Sequence, residues 1–134
     1  PPSYLQKAME TGNRLQDILT SQFEENKTGN QILASALAQA KKENINATIY
    51  THPIGFHGHA AGPAIGMWDM QQGVPGTGDY AMRKNSCYSI ELNATHTIAG
   101  WNKPVRIALE QNGCYDGSSF DYLDGRQKSI LLIQ

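Results

Sequence analysis

The sequence predicts an α+β fold in a single domain, with two helices packed on an antiparallel sheet. Residues 1–46 show helical periodicity, and residues 47–134 are mainly strands and loops. Apolar residues recur every three or four positions in the first part and alternate with polar residues in the second part. At 134 residues, 40% hydrophobic and 17% charged, the chain is long enough to bury a core of its own.

Two core-facing helices are predicted first. The apolar positions of the first helix are Leu5, Ala8, Met9, Leu15, Ile18, Leu19 and Phe23. Thr28 followed by Gln31 is typical of a capping box and opens the second helix. Its apolar positions are Ile32, Leu33, Ala36, Leu37 and Ala40. Gly12 lies inside the first helix, where it favours a bend or irregularity.

A glycine-rich stretch follows at residues 51–69 and contains three of the four histidines, namely His52, His57 and His59. Imidazole is the commonest protein metal ligand and titrates near neutral pH. Glycine allows tight turns and the close approach of a ligand. The stretch therefore indicates either a metal-binding or catalytic loop, or a plain connection with surface histidines. The loop alone does not separate the two readings.

Two polar–apolar alternations predict a hairpin of strands at residues 87–98 and 103–111. A hairpin centred between Gly100 and Trp101 places Glu91 directly opposite Glu110, with Cβ atoms about 4.5–5.5 Å apart. Two carboxylates so close destabilise a sheet unless a cation lies between them. The alternative is a solvated sheet face, but small neighbours favour a cavity lining: Ser89, Asn93, Thr95 and Ala108.

The same register places Cys87 opposite Cys114, so a cross-strand disulfide is compatible with the sequence, as is a reduced pair. A disulfide would imply an oxidising compartment. Near the C-terminus, Asp124-Gly125 between β-like runs predicts a second hairpin, formed by residues 119–123 and 128–133. Asp121 and Asp124 are interpreted as turn and surface residues.

Charge and hydropathy limit the partners. The net charge of −1 offers no basic surface for nucleic acid. No apolar run approaches the roughly 20 residues of a membrane span, so neither nucleic acid nor a membrane is expected as a partner. Because residue 1 is Pro rather than Met, an upstream segment is expected to be missing from the sequence. The compartment, cytoplasmic or periplasmic, is left open.

Two helices, a His/Gly loop and two Glu-bearing strands, in this order, resemble the C-terminal half of the pita-bread metallopeptidases. The Xaa-Pro aminopeptidase branch is the most similar. The family's Gly-His-x-x-Gly segment is matched by residues 58–62, its Ile-Glu step by Ile90-Glu91, and its second glutamate by Glu110. The resemblance implies a pita-bread fold with a curved sheet. It also implies His59, Glu91 and Glu110 as metal ligands.

The resemblance further implies a dinuclear aminopeptidase that removes the N-terminal residue from Xaa-Pro peptides. Two divalent cations would be bound, Mn²⁺ first, with Co²⁺, Zn²⁺ or Fe²⁺ as alternatives. Glu91 would carry a proton from the attacking water to the leaving amine. His52 or His57 would donate a hydrogen bond to the oxyanion.

The family requires two further aspartate ligands from a β-segment upstream of the helix that is predicted first here. These aspartates have no counterpart in this sequence. The chain is therefore expected to be part of a larger catalytic domain, with the missing N-terminal half as its partner. Alone, it should bind metal weakly and hydrolyse nothing. A half-site completed by a second chain, and hence a homo-oligomer, is the alternative.

Departures from the family pattern support other functions. Leu92-Asn93 replaces Pro-Gly after the first glutamate, and Trp68 stands before Asp69 where the family has a histidine. These changes favour a non-catalytic pita-bread module that binds peptides or proteins. A small zinc protein using His52, His57 and His59 is a further hypothesis, because three histidines suit a tetrahedral site.

Overall fold

The structure, a computed structural model, describes residues 1–99 and 103–133. In these residues two helices cover one face of a six-stranded sheet, which confirms the predicted α+β class. The helices are α1 (Ser3–Thr20) and α2 (Gly29–Lys42). The strands are β1 (Asn46–Ile49), β2 (His52–Gly55), β3 (Gly58–His59), β4 (Ser86–Thr97), β5 (Pro104–Tyr115) and β6 (Phe120–Tyr122).

Both helices form where the apolar periodicity predicted them. Helix α2 begins with the expected capping box, since the Thr28 hydroxyl accepts from the Gln31 N–H and the Gln31 side chain accepts from the Thr28 N–H. Helix α1 runs through Gly12 without interruption. A Cβ at Gly12 would lie 3.0 Å from Ile107 and 3.1 Å from Leu109. The glycine therefore allows the helix to lie close to the sheet.

The long hairpin has the predicted register, with Glu91 opposite Glu110 and Cys87 opposite Cys114. The two cysteines form a disulfide. The connecting residues Gly100 to Asn102 lie outside the described residues. The predicted alternation is present, because Ile90, Leu92 and Ala94 are buried in the core.

Strand β4 is the centre of the sheet. The strand order is β3-β2-β4-β5-β6, and β1 also pairs with β4. Strands β1 and β2 follow one register along β4, from Asn46 opposite Thr95 to Ile54 opposite Cys87. They meet β4 on the side away from β5. The His/Gly stretch is therefore attached to the same strand that carries Glu91.

The second predicted hairpin is wrong, because residues 126–133 form no strand. Residues 126–128 lie instead along α1, where side chains of the helix donate to the backbone of Gln127 and Lys128. The amides of Gln6 and Asn13 donate to the carbonyls of Lys128 and Gln127, at 3.0 and 2.9 Å. Arg126 in turn donates to the Asn13 carbonyl at 2.6 Å. No described helix combines the length and the apolar character needed to cross a membrane.

Candidate functional site

A cavity of about 440 Å³ lies where the β2–β3 hairpin and the following loop meet β4. Its polar end contains His52, His59 and Glu91. Most of the remaining lining is apolar or aromatic and includes Tyr50, Pro53, Met67 and Trp68. A concave apolar site with a few converging polar groups is the usual form of a small-ligand site.

His52 and Glu91 form a direct hydrogen bond at the polar end. His52 Nε2 lies 2.8 Å from Glu91 Oε1, and each side chain is only 20% exposed. The other ring nitrogen, Nδ1, lies 2.9 Å from the Pro53 carbonyl oxygen. A carbonyl oxygen only accepts, so Nδ1 must carry a hydrogen. The hydrogen bond between Nε2 and Oε1 then requires one further proton, which His52 and Glu91 share.

Thr51 fixes the backbone of Glu91, a role that the sequence did not reveal. Its fully buried hydroxyl accepts from the Glu91 N–H and donates to the Glu91 carbonyl, both at 3.1 Å. The Tyr50 N–H also donates to that carbonyl, at 3.0 Å. The hydroxyl bridges the gap between β1 and β2. Only the register of both strands along β4 could have identified it, and no local pattern gives that register.

The other two histidines of the loop have different environments. His59 stacks on His52 with ring centroids 3.8 Å apart and planes 14° from parallel. The pairing of His59 with Ile54 across the β2–β3 hairpin brings it there. His57 is exposed at the hairpin turn and packs edge-on against Phe56 at 4.9 Å. The structure thus brings His52 and His59 to Glu91, and leaves His57 outside the cavity.

Glu110 does not join this group, although it lies directly opposite Glu91 in the ladder. It is exposed and lines a separate cavity of about 340 Å³ together with Asp124 and Gly125. Of the small residues predicted to line a cavity, Ser89 and Asn93 on β4 are buried, but neither lines the cavity of His52 and Glu91. On β5 the corresponding residues, Ala108 and Arg106, are exposed.

In the part of the chain that the structure describes, the side chains do not by themselves fit a metal ion. Among residues 1–99 and 103–133 no group of three or more His, Cys, Asp or Glu side chains is arranged to hold one. One oxygen of Glu91 is already bonded to His52. We therefore assign no chemical step to a metal.

Behind the cavity, β4 is fixed by aromatic packing. Tyr88 is fully buried and meets Phe23 edge-to-face, with ring centroids 5.2 Å apart. Burial raises the pKa of the Tyr88 hydroxyl above its ordinary value, so the ring stays neutral. Tyr88 therefore supports the strand and adds no charge near the site.

The fold is shared with two solved peptidase structures. No family model and no curated protein sequence matches the chain. The chain is similar to an X-Pro aminopeptidase from Thermotoga maritima MSB8, with 16% identity and a TM-score of 0.68 over 99% of this chain. It is also similar to a dipeptidase from Pyrococcus horikoshii OT3, with 17% identity and a TM-score of 0.62 over 96% of this chain.

The match covers 34% and 33% of those two proteins, so the chain spans about a third of their length. At this identity the likeness establishes the fold. The chain has the architecture of the C-terminal half of a pita-bread peptidase, as the resemblance implied.

Proposed function

We propose that this chain is part of a metal-dependent aminopeptidase that removes the N-terminal residue from peptides, with Xaa-Pro peptides as substrates. The shared fold supports the peptidase class. The observation that carries the proposal is the His52–Glu91 pair, which holds one proton at the polar end of a cavity of about 440 Å³. Peptide hydrolysis needs such a group to take a proton from water and to return it to the leaving amine.

In this mechanism His52 Nε2 donates its proton to Glu91 Oε1, and the second carboxylate oxygen of Glu91 accepts the proton of the attacking water. The Pro53 carbonyl keeps the imidazole in one orientation by accepting from Nδ1. Thr51 holds the backbone of Glu91, so the carboxylate keeps its position as its charge changes. The proton then passes from the pair to the nitrogen of the departing amine.

The proposal includes two divalent cations, with Mn²⁺ as the preferred ion, and it infers them only from the fold family. Their ligands would be His59, Glu91 and Glu110 together with two aspartates from another segment. Because the described residues form no three-ligand group, metal binding depends on those aspartates. We expect this chain alone to bind metal weakly and to show no turnover.

A second candidate function is non-catalytic binding of peptides or proteins by the same cavity. The observations in its favour are the exposed position of Glu110 and the lack of a three-ligand group in the described part of the chain. Under this function the natural protein binds Xaa-Pro peptides but leaves them intact with any added metal.

The test uses the natural protein, expressed with every residue that its gene encodes. Release of the N-terminal residue from Xaa-Pro peptides is measured after chelation and again with added Mn²⁺. We expect Mn²⁺-dependent turnover, and a loss of about 100-fold or more for Glu91→Gln. Glu25→Gln, at an exposed surface position, is the matched control and should keep full activity. The proposal would be overturned if the protein showed no turnover with each of the divalent metals added in turn, or if Glu91→Gln kept full activity.

A further inference from the structure

Trp68 is a large aromatic side chain that remains 75% exposed although it lines the cavity that contains His52 and Glu91. It stands next to Met67, which also lines the cavity and is 41% exposed. Exposed apolar surface of this size at a cavity is typical of a place where a ligand binds.

Hydrogen bonds hold the turn that carries Trp68. Met67 and Met70 pair across it, and the Met70 N–H donates to the Met67 carbonyl at 2.9 Å. The amide of Gln71 donates to the carbonyls of Met67 and Ile49, at 2.7 and 2.8 Å. Its oxygen also accepts from the Ile49 N–H at 3.0 Å. The Gln71 side chain thus satisfies the backbone N–H and carbonyl of Ile49, as a neighbouring strand would, and joins the turn to the sheet.

The backbone before the turn is equally constrained. Thr51 and Ile65 exchange two backbone hydrogen bonds, at 2.8 and 3.1 Å. Gly66 has a φ of 76°, and a Cβ there would lie 2.2 Å from the Ile49 carbonyl oxygen. The turn is therefore anchored on both sides of Trp68. The backbone thus fixes the position from which the indole extends beside the cavity, and this arrangement removes part of the ordering cost of ligand contact.

We propose that Trp68 is a specificity-determining residue, whose indole forms with Met67 an apolar wall for a hydrophobic N-terminal side chain of the bound peptide. Neither residue of the wall offers a cationic partner, and the face of the indole is negative, so an anionic side chain placed against it would lose water without gaining a partner. An aliphatic or aromatic side chain would instead bury its surface there. The expected effect of Trp68 on the rate of hydrolysis rests on the proposed peptidase function, whereas its expected effect on peptide binding does not.

The kinetic experiment compares the hydrolysis of Leu-Pro and Glu-Pro peptides by the natural protein. We expect a higher kcat/KM for the Leu peptide, and a loss of about 10-fold in that preference for Trp68→Ala. The change should appear mainly in KM, because the His52–Glu91 pair is unaltered. Phe56→Ala is the matched control, since Phe56 is 98% exposed but does not line the cavity. That variant should keep the preference.

The binding experiment separates this inference from the proposed function. Calorimetric titration with the same two peptides needs no turnover, and it compares the wild type, Trp68→Ala and Phe56→Ala. If nothing is hydrolysed but Trp68→Ala alone removes the preference for Leu, the peptidase proposal fails and the specificity role stands. If the wild type shows no preference for Leu, or Trp68→Ala weakens binding of both peptides equally, the specificity role is wrong.

Discussion

Glu91 and Glu110 are direct neighbours in one ladder, yet their surroundings differ completely. Glu91 lies on the central strand, is 20% exposed in its side chain and bonds to His52. Glu110 is exposed and does not line the cavity that contains His52 and His59. The difference comes from the flanking strands. Strand β4 has β1 and β2 on its outer side, whereas β6 pairs only with Gly113 to Tyr115 at the far end of β5.

The register of the hairpin places Glu91 and Glu110 beside one another. The strands that flank the hairpin on each side then determine whether each carboxylate is enclosed or exposed. We refer to the two regions as the Glu91 side (β1, β2 and the loop to Gln71) and the Glu110 side (β5 and β6). The Glu91 side encloses the cavity of His52 and Glu91, whereas on the Glu110 side the side chain of Glu110 is exposed.

The largest loss of stability is expected where the loop of the Glu91 side lies closest to the sheet, at Gly66. In Gly66→Ala the new Cβ would lie 2.2 Å from the Ile49 carbonyl oxygen, at a φ of 76°. We expect a loss of about 4 kcal/mol in the free energy of unfolding, measured in urea. Gly58→Ala is the matched control, because its φ of 85° is similar but nothing lies within 4 Å. It should lose only about 1 kcal/mol, and equal losses would contradict the account.

An intermediate effect is expected from removing the bond that joins the two sides. The Cys87–Cys114 disulfide links β4 to β5 and closes a loop with a sequence separation of 27. Chain entropy gives about 3.5 kcal/mol for a loop of this length. We expect the Cys87→Ala, Cys114→Ala variant to lose up to that amount in urea unfolding. Dithiothreitol should lower the stability of the wild type similarly and leave the variant unchanged. Sensitivity of the variant to the reductant would contradict the assignment.

The smallest effect is expected at the turn between β5 and β6. The N–H groups of Ser119 and Ser118, with the Ser118 hydroxyl, lower the pKa of Asp116 to about 2 from 3.8. A lowered folded pKa gives stability that is present above about pH 4 and is lost as the pH falls through about 2. We expect the melting temperature of Asp116→Ala to fall less between pH 4 and 2 than that of the wild type. A fall of the same size in both proteins would exclude this role of Asp116.

Much of the fold follows from local patterns, because each pattern is read within one element or one hairpin. The helices followed from apolar periodicity, and the opposition of Glu91 and Glu110 followed from the position of one turn. The environment of Glu110 could not be predicted, since it depends on which strand lies beyond β5. The bond from His52 to Glu91 was equally hidden, because it requires the register of β2 along β4. The final hairpin prediction was wrong because α1 offers residues 126–128 better partners than a neighbouring strand.

The most direct test of the comparison is a pair of double-mutant cycles on the free energy of unfolding. One cycle combines His52→Ala with Glu91→Ala, and the other combines His52→Ala with Glu110→Ala. We predict a coupling of about 1 to 2 kcal/mol in the first cycle, as expected for a hydrogen bond to a charged group. In the second cycle we predict a coupling within about 0.5 kcal/mol of zero. Equal coupling in both cycles, or none in the first, would contradict the assignment of the functional centre to His52 and Glu91.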